Sequence, residues 1–151
     1  MNFTCLNQNI WQLKPAFPFS GQGVPMDYTR FIDEVKKYGF IGSEERADSI
    51  VKAALGILAS SMSEEQARKL AARLPEPLTF ERLRGHQARP VDITIEEFFS
   101  EIGAQFRISP DEARTVIDEV FRLAKEAIGE DAASELEYEM PPDVAEEFEA
   151  A

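Results

Sequence analysis

The sequence predicts an all-α protein: two tandem copies of a three-helix unit, packed as one compact helical bundle. Three observations predict it. A register of 66 residues aligns the two halves, apolar residues recur at i, i+3 and i+4 through both, and helix start and stop signals fall at matching places. No segment shows the two-residue alternation of a strand.

The register runs for about fifty residues. "SEERADSIVKAALGILASSMSEEQARKLAARLP" (43–75) lies over "SPDEARTVIDEVFRLAKEAIGEDAASELEYEMP" (109–141). Upstream, "RFIDEV" (30–35) lies over "EFFSEI" (97–102) at an offset of 67, which places one extra residue near Gly39–Gly42.

Each element follows from local chemistry. The first helix starts after Asp27 and sets Phe31, Val35 and Tyr38 on one face. Its twin starts at Thr94, where Glu97 at the third position completes a capping box, and carries Ile95, Phe98, Phe99, Ile102 and Phe106. The second helix starts at Ser43. Its twin starts at "SPDE" (109–112), which joins a capping serine, a first-turn proline and a capping carboxylate. Apolar positions 47, 50, 51, 54, 55, 58 and 62 face the core, as do 113, 116, 117, 120, 121, 124 and 128. The third helix starts at Ser63 and buries Ala67, Leu70 and Leu74; its twin starts at Gly129. Pro75 and Pro141 end these helices, because proline disfavours helical geometry before it and lacks an amide for another turn. A short tail follows in which Leu78 or Val144 folds back over the helix end.

The domain reading is a poorly ordered N-terminal tail at 1–25, a first repeat at 26–83, a basic linker at 84–92 and an acidic second repeat at 93–148. Residues 1–25 hold three prolines, the aromatics Phe3, Trp11, Phe17 and Phe19, and the single charge of Lys14.

These core and turn positions carry a resemblance. Phe31, Val35, Ala47, Leu55, Leu70, Leu74 and Pro75, with their twins Phe98, Ile102, Ala113, Phe121, Leu136, Met140 and Pro141, resemble the bacterial family called domain of unknown function 2267. The resemblance covers residues 26–148. It implies a compact helical protein of two repeats and no established activity or ligand, so no catalytic residue is carried over from it. Met140 departs from the usual leucine, and Gly129 from the capping serine.

Composition narrows the function classes. The net charge is −12, and it is unevenly spread. Residues 26–90 hold 11 basic and 10 acidic side chains, whereas 91–151 hold 4 and 18. Such a surface repels phosphate and anionic lipid, so nucleic acid and membranes are not the expected partners. One cysteine, Cys5, excludes an intramolecular disulfide and a thiolate zinc cage. No apolar run approaches the ~20 residues of a membrane span. A cytoplasmic protein is expected.

The chemistry-bearing residues are few. His86, between Arg84 and Arg89 in "RLRGHQARP", has no second histidine or acid placed to make it a base. Pairing it with Cys5 as a nucleophile finds no local signature. Neither the Glu-x-x-His of a di-iron bundle nor an EF-hand loop is present. The expectation is therefore no catalytic, cofactor or metal residues, and a binding protein rather than an enzyme. Two charged surfaces stand out for a partner. Arg73, Arg82, Arg84, His86 and Arg89 form the basic one, with Lys69 beside them. Glu135, Glu137 and Glu139 sit in an acidic stretch (129–151) of nine carboxylates and no cation, whose plain reading is a solvated face with a frayed end. Trp11 in the tail is a further partner-binding candidate. The two surfaces also invite self-association, within the chain or between chains. The alternative is a small-molecule or anion site, or an enzyme, between the repeats around Arg84, His86 and Arg89.

Overall fold

The computed structural model describes residues 27–84 and 93–151. Among them lie eight helices and no strand. The first four are α1 (Tyr28–Lys36), α2 (Glu44–Ser60), α3 (Glu64–Arg73) and α4 (Phe80–Arg84). The second four are α5 (Ile95–Phe106), α6 (Pro110–Ile128), α7 (Glu130–Glu137) and α8 (Pro142–Ala150). The expected unit of three helices and a tail is thus corrected to four helices. Thr79 accepts the Arg82 amide to start α4, and Pro142 in the first turn starts α8. In the second set the proline stop therefore doubles as the start of the next helix, and the C-terminal stretch is packed rather than frayed.

Start signals act largely as expected. Both capping boxes form: Thr94 with Glu97, and Ser109 with Glu112. Ser43 and Ser63 accept the amides of Arg46 and Gln66. Asp27 occupies its N-cap without a side-chain bond.

Burial follows the register. Ile50 and Val116, Val51 and Ile117, Ala54 and Val120, Leu55 and Phe121, Met62 and Ile128, Leu70 and Leu136, and Leu78 and Val144 are all enclosed. The long helices α2 and α6 pack on each other, α1 packs on α6, and α2 packs on α5. The two sets of helices therefore share one core, and each lays its first helix against the other's second.

Backbone carbonyls at helix ends are taken by cations from elsewhere. Arg46 donates through Nη2 to Phe106 O, the last residue of α5, at 2.8 Å and through Nε to Ile41 O at 2.9 Å. Arg73 donates to Ile128 O, the last residue of α6, at 3.0 Å. Lys125 donates to the carbonyls of Glu149 and Ala151 at 3.0 and 2.7 Å. Each cation meets the negative end of a helix whose last carbonyls have no internal partner.

Candidate interaction surface

The acidic stretch forms a face across α7, the following turn and α8. Along α7, Glu130, Ala133, Ser134 and Glu137 share one stripe and line a groove of about 460 Å3 with Lys125, Glu149 and their neighbours. Its two cations are already engaged. Arg122 bonds Glu119 and lies 3.9 Å from Glu34, while Lys125 holds the end of α8. Partial burial pushes the Glu137 carboxyl above its ordinary value, and the nearby Glu149 charge pushes the same way, against Lys125. Lys125 offsets the two carboxylates only in part, and the raised Glu137 carboxyl marks a place that gains from a further positive charge.

Tyr138 projects from this face. It is 92% exposed, the one large hydrophobic so displayed among the described residues. Glu137 and Glu139 flank it in sequence. The core stripe explains its position: Ala133, Leu136 and Met140 point inward, and residue 138 falls between them.

Other predicted residues have different fates. Glu135 meets Lys69 at 3.8 Å, and Arg73 holds the end of α6, so part of the basic surface is turned onto the acidic half of the same chain. Arg30–Glu126 at 2.9 Å and the bond from Tyr38 to Glu119 at 3.2 Å join the same halves. Arg82 stays exposed. Arg84, placed in the linker by the sequence, ends α4 and is buried. α4 rests on α2 and α3 and on no helix of the second set. His86, Arg89, Trp11 and Cys5 lie outside the described residues, as does the tail reading of 1–25.

A second polar cluster joins α6 to α8. Arg114 donates to Glu147 at 3.1 Å and lies 3.9 Å from Asp118. Burial, reinforced by Glu147, pushes the Asp118 carboxyl up to about 7. In its protonated form Asp118 can donate to the Glu147 carboxylate, which favours the neutral acid. This cluster fastens a helix; it faces no groove. A cleft of about 380 Å3 beside Tyr28, Ile32 and Glu45 holds two further acids, but Asp48 is bound by Tyr28 and Lys52, and Glu44 lies near Lys36. No group of side chains suited to a metal ion occurs among the described residues. No helix among them is long and apolar enough to cross a membrane.

Sequence reasoning passed over Tyr138, the burial of Arg84 and the Asp118–Glu147 pair. Only the first had a signal: a tyrosine off the apolar stripe of a predicted helix faces solvent.

No curated protein and no solved structure was found to match the chain. The model of one family does match, over residues 28–147, and its description is "uncharacterized conserved protein (DUF2267)". That span takes in all four helices of the first set and nearly all of the second, so the chain belongs to this family.

Proposed function

We propose that the protein is a non-enzymatic interaction module whose α7–α8 face receives a basic segment of a protein partner. The observation that carries this reading is Tyr138, fully displayed beside Glu137 and Glu139. An exposed aromatic with a carboxylate on either side in sequence suits arginine and lysine: the ring takes a guanidinium over its face, and the carboxylates supply the counter-charge. The groove along Glu130 and Glu137 gives such a side chain a place to enter. A second copy of the chain fits less well, since Lys69 and Arg73 are already engaged internally. The reading places the protein in the cytoplasm, in keeping with its charged composition and single cysteine.

The test is affinity capture from native lysate with the full chain, beside a Tyr138→Ala, Glu137→Lys, Glu139→Lys variant whose fold is checked by circular dichroism. The expected outcome is a partner retained by the first, lost by the second and released by salt. Identical capture by both would remove the acidic face as the binding surface. Light scattering after size exclusion should give a monomer at low and high salt; a salt-sensitive oligomer would instead favour self-association.

A further inference from the structure

Arg84 ends α4 with 4% of its surface exposed. Its Nε, Nη1 and Nη2 atoms are enclosed, and none has a hydrogen-bond partner among the described residues. A guanidinium stays charged at physiological pH and presents five N–H donors in a plane. Buried amines and carboxyls can escape by becoming neutral; arginine cannot, so its enclosed charge calls for an anion. The Phe80 ring, 6.0 Å from the guanidinium carbon, attracts a cation without satisfying those donors.

The chain has little to offer it. α4 rests on α2 and α3, where Asp48 is taken by Tyr28 and Lys52 and Glu64 by Arg68. Glu81, one turn back on α4 itself, is exposed and makes no bond to it. Residues 1–26 contain no carboxylate, and residues 85–92 contain only Asp92.

We propose that Arg84 is the receptor for a small oxyanion, a carboxylate or a phosphate, held by two parallel N–H donors of its planar edge. Gly56 sets the geometry. A Cβ there would stand 3.0 Å from Leu83 O, tighter than ordinary contact, so glycine favours the close approach of α4 to α2 just before Arg84. The anion binds the docked form of α4 and stabilises the folded chain by mass action. This inference is independent of the acidic face, and Tyr138→Ala leaves it untouched.

The test is thermal unfolding of the full chain in chloride buffer with added phosphate, sulfate, acetate or citrate at constant ionic strength. Arg84→Met and the exposed control Arg82→Met are run alongside. The expected result is a saturable rise of several degrees for wild type and Arg82→Met. Arg84→Met should keep only the general salt effect and melt no lower than wild type in plain chloride. The effective anions distinguish carboxylate from phosphate. Equal shifts in wild type and Arg84→Met would overturn the proposal. So would an Arg84→Met variant much less stable in plain chloride, with Asp92→Asn matching it, because the cation would then have an internal partner. Should Arg84→Met fail to fold, the arginine Nε–Hε resonances of wild type decide. One of them must shift saturably with phosphate or carboxylate, and none moving sinks the idea.

Discussion

The last helix of each set shows how far one pattern can diverge. α8 has nine residues and reaches α5, α6 and α7; α4 has five and reaches only α2 and α3. In the second set Phe98, Phe121 and Phe148 run edge to face through the core, with centroids 5.6 and 5.3 Å apart. The residues aligned with them are Phe31, Leu55 and Arg82. Where α8 sends a phenyl ring inward, α4 has an exposed arginine, and its grip comes from buried Leu83 and the close backbone approach at Gly56. The residue aligned with Gly56 is Arg122, which makes ion pairs on the surface. One docking thus rests on a large buried ring, the other on a smaller side chain and a close backbone contact.

Charges diverge just as systematically. Asp48 and Lys52 pair at 3.1 Å on α2; the aligned Arg114 and Asp118 lie 3.9 Å apart on α6 with the signs exchanged. Asp48 then takes the Tyr28 hydroxyl, and Arg114 takes Glu147. An i, i+4 pair tolerates either order with little change in helix stability, so the choice is free to serve the neighbouring helix.

The strongest way to break this contrast is at its aromatic end. Phe148→Ala should destabilise by about 3–5 kcal/mol, with a smaller m-value if α8 comes loose, while Arg82→Ala should stay within about 0.5 kcal/mol. Urea titration reads both. Similar losses for the two would mean that α4 depends on Arg82 as α8 does on Phe148.

Next comes the backbone approach. Gly56→Ala should cost about 1–3 kcal/mol, because the obstructing atom is a carbonyl that cannot swing aside, and amide exchange should quicken through 80–84. Arg122→Ala should cost no more than about 1 kcal/mol, as surface ion pairs do. A silent Gly56→Ala would show that α4 is already loose.

The cation on the end of α6 gives a smaller effect. Arg73→Ala removes one bond to Ile128 O and should cost about 1 kcal/mol in the same titration. The aligned Glu139→Ala should change little, as it makes no such contact.

The smallest effect sharpens the contrast by pH. The folded chain keeps a proton on Asp118 up to about pH 7, whereas an unfolded aspartate has lost it near pH 4. The folded state therefore binds more protons across that window, and this pair's contribution falls as pH rises from about 4 to 7. Asp118→Asn keeps a donor for Glu147 without the titration and should flatten that slope. Lys52→Gln, at the aligned position, should leave it unchanged. Melting curves at several pH values separate the two.

Much of the fold was legible because it repeats. Ile50 and Val116 obey one period and are enclosed alike, and the serine and threonine caps need only a few neighbouring residues to act. The fourth helices were not legible. α4 is too short for periodicity to register, and Pro75 and Pro141 read only as stops although Pro142, next to the second, begins a helix. For the site, the acidic stretch was visible as composition, with Glu137 and Glu139 in its middle. Which of its members face outward depends on Leu136 and Met140 turning inward. Arg84 is enclosed where α4 meets α2 near Gly56, twenty-eight residues earlier, and no local pattern carries that distance.

The contact between Lys69 and Glu135 has one more consequence. They occupy aligned positions, so at this point between the two sets each residue meets its own counterpart. A pairing of two first sets in the same geometry would bring lysine against lysine, and of two second sets glutamate against glutamate. Such like-charge encounters are penalised while the mixed one is favoured. The difference at this single position acts as a sorting rule. Because both side chains are about half exposed, the preference amounts to no more than about 1 kcal/mol.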